Sequence, residues 1–326
     1  MTRPTAKQVA ERAGVSVAAV SRAFRAGAPL AADKRAAILR VAAEIGYQSP
    51  ADRLSRGAEQ TVTLVASDLS NPFYPMAIEV MASALARAGK RALLYVAPPG
   101  VDLDEALRQI LDLRSPAVVI LSSTISSTLA QRCRANGVPA ILFNRVQIDA
   151  DMTAVTCDNY GGARLVAQRF LQAGRRRIGF MGGIVNTSTH LERGRGFRDQ
   201  LAEAGKQLAF DWNGGYDYRR SFDLAHAALA RPDRPDALFC ANDIMALAVL
   251  DACRALGIDV PQDLAVIGFD DIPNAGWQPY RLTTLAQPLL RMATETVALL
   301  EAAAAGQSVQ GTIRIFGADL VARDSG

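Results

Sequence analysis

The chain has 326 residues, 50% of them apolar and 21% charged, with 36 Lys and Arg against 32 Asp and Glu for a net charge of +4. That length and apolar content exclude a disordered protein and suffice for a small head plus one or two α/β layers with sizeable cores. No apolar stretch of signal-peptide length opens the sequence and no run approaches the roughly 20 apolar residues of a membrane helix, so a cytoplasmic protein without membrane contact is expected.

Residues 5–25 read as two short helices joined by a glycine turn. Thr5 caps the first and Gln8, three residues on, completes a capping box. Val9, Ala10 and Ala13 fall at helical spacing, Gly14 supplies the turn, and Ser16 caps a second helix that carries Val20 and Ala23 inward. Val17, Ala18, Ser21 and Arg22 then face outward, the arrangement by which a helix-turn-helix enters a major groove. The plain alternative is an ordinary helical hairpin. Charge favours DNA: residues 1–60 hold ten basic and five acidic side chains, +5, while the remainder of the chain carries −1. A basic head on a near-neutral body suits phosphate neutralisation.

Ile38, Val41, Ala42 and Ile45 place a third helix over residues 33–47, ended at Gly46. Ser49, Pro50 and Asp52 then start a two-turn helix containing Leu54 and stopped at Gly57. So short a helix forms only when packed against something, which a hinge that folds on DNA satisfies; an unstructured linker is the alternative.

From residue 61 strands and helices alternate, the signature of parallel sheets covered on both faces. Apolar runs at 62–66, 91–96, 117–121, 140–143 and 154–157 form one series, with helices such as 76–88 and 128–136. A second has strands at 178–181, 237–240 and 265–269 and helices at 160–173, 191–204, 222–230 and 243–256. A helix at 289–304 and a strand near 313–316 return to the first lobe. The expected division is a head at 1–48, a hinge at 49–60 and a core at 61–326, with lobe one about 61–158 plus 288–326 and lobe two about 159–287.

Two open α/β lobes bind ligands at the carboxyl ends of their strands. There stand Asp68, Ser70, Asn71, Phe73 and Tyr74 after the first strand, Asn144 and Arg145 after the fourth, Asn242 and Asp243 after Cys240, and Asp270 and Asp271 after Phe269. Amides, carboxylates and a guanidinium fork beside aromatic rings suit a polyhydroxylated ligand. No nucleophile with an adjacent base is among them, no cofactor or metal is implied, and the four cysteines read as reduced core thiols. Gly182-Gly183 and Gly194-x-Gly196 do not reproduce a dinucleotide fingerprint. The run Arg175-Arg176-Arg177 reads as a solvated helix-end cluster.

Taken together, these motifs resemble the LacI/GalR family of bacterial transcriptional regulators over essentially the entire chain. The matching residues are Val-Ala-x-x-Ala-Gly-Val-Ser at 9–16, Val-Ser-Arg at 20–22, Gly-Tyr at 46–47, Asp-x-x-Asn-Pro-Phe at 68–73 and Asp-Asn at 158–159. Ala-Asn-Asp-x-Met-Ala at 241–246, Val-Ile-Gly-Phe-Asp-Asp at 266–271 and Leu-Thr-Thr-x-x-Gln-Pro at 282–288 complete the set. The resemblance implies a helix-turn-helix head, a DNA-induced hinge helix and a periplasmic-binding-protein-like effector core that dimerises. It implies that Val17, Ala18 and Arg22 read bases, that Ser16 and Ser21 approach phosphate, and that Leu54 wedges into the minor groove, with Thr5 and Arg25 completing the DNA-facing set. Effector contacts would fall on Asn71, Phe73, Tyr74, Arg145, Arg193, Asn242, Asp270 and Gln287.

The chain departs from the family pattern at Ala19, where Thr is usual, at Arg25, often Asn, and at Ala31, usually a capping Ser or Thr. The segment from Tyr47 to the first strand is slightly shorter than in the family. Asn144 replaces an acid common in sugar-binding relatives, and Trp277 is placed to cover the cleft. The expected protein is a homodimeric repressor whose affinity for a pseudo-palindromic operator answers to a sugar-like effector. A small-molecule binding protein working without DNA is the runner-up, and an enzyme a distant third.

Overall fold

The computed structural model describes residues 4–25, 27–49, 60–97, 103–112, 115–121, 127–146 and 152–326. The expected hinge helix, Leu54 included, lies outside the described residues. The chain divides into two compact units, Met1–Thr61 and Val62–Gly326.

In the first unit, α1 (Ala6–Ala13), α2 (Val17–Ala23) and α3 (Ala32–Glu44) close over Val9, Ala10, Ala19, Val20, Ala23, Ile38 and Ala42. Thr5 and Gln8 form the capping box, Gly14 ends α1 at φ 62°, and the Ser16 hydroxyl accepts from Ala19 N. Ala31 makes no side-chain cap for α3, as its methyl requires. Ala19 is buried in this small core, so its methyl packs the head together.

The second unit begins with β1 (Thr61–Ala66), α4 (Phe73–Arg87), β2 (Arg91–Val96), α5 (Leu103–Asp112), β3 (Ala117–Ile120), α6 (Ser127–Ala135), β4 (Ala140–Phe143) and β5 (Thr153–Cys157). Their sheet runs β11-β5-β4-β3-β1-β2, where β11 is Ile313–Phe316, and pairs β1 with β3, β3 with β4, β4 with β5 and β5 with β11 in parallel. Alternate residues face opposite layers. Leu64, Val119, Ile141 and Val155 enter the core shared with Met81, Leu85 and Met292; Val65, Val118, Leu142 and Ala154 pack on Ile110, Leu129 and Cys133.

The second lobe contains α7 (Asn159–Gln172), β6 (Ile178–Gly182), α8 (Ser188–Glu203), β7 (Phe210–Asn213), α9 (Tyr218–Leu229), β8 (Ala237–Cys240), α10 (Asp243–Leu256) and β9 (Ala265–Ile267). Its sheet, ordered β7-β6-β8-β9, is parallel throughout. Phe180, Phe197 and Phe239 meet with ring centroids 5.0–6.0 Å apart and form its aromatic centre. The glycines that failed the dinucleotide pattern are packing residues: a Cβ on Gly196 would lie 2.2 Å from Tyr160 O, so that glycine lets α8 approach α7.

A short 3₁₀ turn (Pro273–Gly276) leads to β10 (Thr284–Ala286), α11 (Leu289–Ala304), β11 and β12 (Asp319–Val321). The division expected for the last residues is corrected here. Helix α11 and β11 do return to the first lobe, but β12 crosses back to pair antiparallel with β10. Ser325 then bonds Val266, and Arg169 donates to Gly326 O at 2.7 Å, so residues 319–326 belong to the second lobe. Three strand-to-next-element passages, at 158, 287–288 and 317–318, therefore join the lobes. The arginine run is corrected at one position: Arg176 and Arg177 are exposed as expected, but Arg175 is a brace, donating to the carbonyls of Asp236, Pro261 and Gln262. All four cysteines are buried and free.

Candidate functional site

The six-stranded and the four-stranded sheet each reverse their strand order once. In the first lobe the reversal lies between β1 and β3, and in the second between β6 and β8. A crevice opens outside the carboxyl ends of parallel strands at such a point. Both crevices face one cavity of about 470 Å³, open to solvent. The first lobe contributes Asn71, Phe73 and Tyr74 after β1, Leu121 after β3, and Phe143, Asn144 and Arg145 around the end of β4. The second contributes Thr187 and Thr189 around the start of α8, Arg193 from α8, Tyr216 after β7, Asn242 after β8 and Asp270 after β9.

Arg193 is the largest fully buried side chain of the described residues. Its Nε donates to Asn159 Oδ1 at 2.8 Å, Nη1 to Ala241 O, and Nη2 to Asp270 Oδ1 at 3.2 Å. The guanidinium lies 3.7 Å from the centroid of Phe269. Three of five N–H donors are thus bound to protein, and two are left for a ligand. Asp270 Oδ1 also accepts from Gln287 Nε2 at 2.7 Å. Burial raises the Asp270 carboxyl above the ordinary carboxylate range, and the Arg193 charge opposes that rise. The result is a buried, oriented ion pair at the cavity wall.

Two asparagines are aimed by their own helices. Asn242 caps α10 by accepting from Met245 N at 3.1 Å, and Asn71 accepts from Phe73 N at 3.1 Å, so each turns its amide NH₂ away from its helix. Asn144 Oδ1 is buried with no hydrogen-bond partner, an acceptor that a ligand O–H or N–H would satisfy. Backbone strain gathers here as well. Five described non-glycine residues have positive φ, and three of them line the cavity: Asn144 at 62°, Tyr216 at 62° and Asp270 at 125°. Such conformations cost on the order of 1–3 kcal/mol and persist where the surroundings enforce them, often at ligand sites.

Two expected residues stand elsewhere. Trp277 is not among the lining residues; it is 54% exposed and follows the 3₁₀ turn. Gln287, at the passage from the second lobe to the first, bonds Asp270 and does not line the cavity itself. Asp243, next to Asn242, points into the lobe and accepts from Thr284 Oγ1 at 2.5 Å and Ile272 N at 2.9 Å. Asp271 pairs with Arg323. The lining residues that sequence reasoning missed are Leu121, Phe143, Thr187, Thr189 and Tyr216. The Thr189 hydroxyl lies 3.0 Å from that of Tyr216, and Gly183 leaves room for the Tyr216 ring, since a Cβ there would lie 2.0 Å from it.

On the head, Val17 is 50% exposed, and Ala18, Ser21, Arg22 and Arg25 are exposed with it. The hydroxyls of Thr5 and Ser16 serve as caps. Arg22 Nε rests on Ala18 O at 3.3 Å, so its two terminal nitrogens lead. Behind this face Arg35 donates to the carbonyls of Arg22, Ala23, Arg25 and Ala28, fastening the end of α2 and the loop after it. Nothing in the spacing of the sequence singled Arg35 out. Among the described residues no cluster of His, Cys, Asp and Glu could hold a metal ion, and no helix is long and apolar enough to cross a membrane.

Residues 167–326 match the model of the periplasmic binding protein-like domain. The chain is 30% identical to an uncharacterized helix-turn-helix transcriptional regulator in the aml 5′ region of Streptomyces limosus, over 99% of this chain and 94% of that protein. It is 29% identical to the transcriptional regulator CelR of Thermobifida fusca, covering 99% and 98% respectively. A solved complex of CelR with cellobiose superposes with a TM-score of 0.76 at 28% identity, covering 99% of this chain and 100% of that one. The lac repressor dimer bound to operator shares the fold, with a TM-score of 0.79 at 22% identity over 99% of both chains. A capped helix-turn-helix joined in one chain to a two-lobed cleft, with full-length likeness to regulators so built, makes this protein a member of the LacI/GalR family of transcriptional regulators.

Proposed function

We propose that the protein is a repressor that binds a pseudo-palindromic operator as a homodimer in the cytoplasm and whose operator affinity is set by a sugar or sugar derivative held between the two lobes. It acts by binding, with no catalytic step. The observation that carries this reading is the buried Arg193–Asp270 pair facing Asn71 and Asn144 across the cavity. Vicinal hydroxyls can donate to Asp270 and Asn144 and accept from Arg193, Asn71 and Asn242, while Phe73, Tyr74 and Tyr216 cover the apolar faces of a ring. CelR, a relative of the same architecture, holds cellobiose in its solved complex.

A ligand that touches both lobes favours one closure angle over another, and that differential contact is what shifts the equilibrium. In a dimer the angle sets the spacing of the two heads against half-sites about one helical turn apart. On DNA, Thr5, Ser16, Ser21 and Arg25 approach phosphate. Thermal unfolding with sugars, sugar acids, polyols and nucleosides tests the effector class, because a ligand at 100 times its Kd adds roughly 2.7 kcal/mol. A gel shift on the DNA upstream of the protein's own coding sequence tests operator binding. A sugar that raises Tm and changes the gel shift is the expected result. Stabilisation by none of the sugars or sugar derivatives would overturn the effector class, and an unshifted operator the DNA-binding reading.

A further inference from the structure

The charge of the cavity wall follows from which strand-end carboxylates the fold turns toward it. Of the described aspartates just after parallel strands, Asp68 accepts from the backbone N and hydroxyl of Ser70, and Asp158 and Asp217 cap α7 and α9. Asp243 points into its lobe and Asp271 pairs with Arg323 at 2.7 Å. Asp270 alone among them lines the cavity, so the charged side chains among the described lining residues are Arg145, Arg193 and Asp270, a net +1. In the second lobe the Arg193–Asp270 pair brings one charge of each sign to the wall. The first lobe brings the Arg145 guanidinium and, beside it, the neutral amide of Asn144. Arg145 is half-buried, and loss of water holds its guanidinium below its ordinary value, a cost that a nearby anion offsets. Hydrogen-bonding capacity tilts the same way: among the amide and charged groups, Asn71, Asn242, Arg145 and Arg193 offer N–H donors, against the acceptors of Asp270 and the unpartnered Asn144 Oδ1.

Within the sugar-effector reading above, on which this rests, we propose that the effector is a sugar monocarboxylate of the aldonic or uronic acid class, its carboxylate against Arg145 and a neighbouring hydroxyl donating to Asn144 Oδ1. A carboxylate brings one negative charge to a wall of +1 and presents two acceptor oxygens that match a guanidinium fork. A phosphate ester brings close to two charges, more than the wall balances. A neutral sugar leaves a positive charge uncompensated in a partly dehydrated site.

Thermal unfolding of the full-length protein is compared across matched sets in which each common hexose and pentose is offered as the neutral sugar, alditol, aldonate, uronate and phosphate ester. The compound that raises Tm most should be a carboxylate. Isothermal titration should give it a Kd about tenfold or more below that of its neutral counterpart, the scale of one hydrogen bond to a charged group. Asn144→Asp keeps the shape of the side chain and tolerates the positive φ, but it brings the wall to zero charge, so this variant should bind the neutral sugar better than the acid. Arg145→Met should remove the preference for the acid. Both variants should retain operator binding without effector, which shows that they are folded. A wild type stabilised most by a neutral sugar, an alditol or a phosphate ester, or an Asn144→Asp protein that keeps the wild-type preference for the acid, would overturn the carboxylate assignment while leaving a sugar effector in place. Stabilisation by no member of any set would overturn both.

Discussion

Asp243 and Asp270 are both taken out of water, and only one has a cation beside it. Asp270 faces Arg193, whereas Asp243 relies on Thr284 Oγ1 and Ile272 N. Burial, with the nearby Asp270 charge adding to it, pushes the Asp243 carboxyl up to about 8. The folded protein therefore keeps a proton that the unfolded chain releases near its ordinary value of 3.8. Stability from this group is present at low pH and is lost as pH rises toward 8. Thermal unfolding should show Tm of the wild type falling steadily between about pH 5 and pH 8, since one retained proton changes stability by ~1.4 kcal/mol per pH unit over that range. Asp243→Asn, which keeps the shape and one acceptor, should flatten that slope; an unchanged slope would assign it to other groups. Gly183 is a second residue with a sharp consequence. In Gly183→Ala the added carbon must displace Tyr216, so effector affinity should fall about tenfold, or ~1.4 kcal/mol, with operator binding retained. Isothermal titration of the effector distinguishes this from a cavity that does not need Tyr216.

Helix α2 is only seven residues long and is stable because it is fastened at both ends. Ser16 caps its start, and Arg35 ties its last carbonyls to the loop that follows. Arg35→Met should cost ~1.5–3 kcal/mol of head stability, since bonds from a charged donor are lost, and should speed amide exchange in α2. Operator affinity should drop while the slope of affinity against salt stays unchanged, because Arg35 spends its donors on carbonyls and not on phosphate. A slope shallower by about one would make it a phosphate contact. The elements themselves were legible to different degrees. Central strands such as Ala117–Ile120 and Ala140–Phe143 are short apolar runs, buried on both faces, and stand out in the sequence. Strand β7 is a half-exposed edge, and β10 and β12 have three residues each, so no run or alternation announces them. Missing β7 also hid Tyr216, which would otherwise have been read as a strand-end residue. Asn242 and Asp243 are neighbours with opposite fates, decided by the cap of α10 and not by residue type.

For the molecule as a whole, the cavity draws its wall from both lobes, and in the proposed function a ligand there acts on the angle between them. Arg193, Asn242 and Asp270 belong to one lobe and Asn71, Phe73 and Arg145 to the other, with Gln287 linking Asp270 to a passage between the two. Much of this wall was readable from strand-end residues, whereas Trp277, which follows the 3₁₀ turn after the Asp-Asp pair, is not among the lining residues. The most direct test is operator affinity of the full-length wild type and Asp270→Ala, each with and without the effector identified by thermal screening. In the wild type the effector should change operator affinity about 5- to 150-fold, the range of ordinary coupling between sites. Asp270→Ala should bind the operator within a few-fold of wild type without effector and should show no response when it is added. An Asp270→Ala protein that still responds at wild-type effector concentrations would contradict the account and place the effector elsewhere.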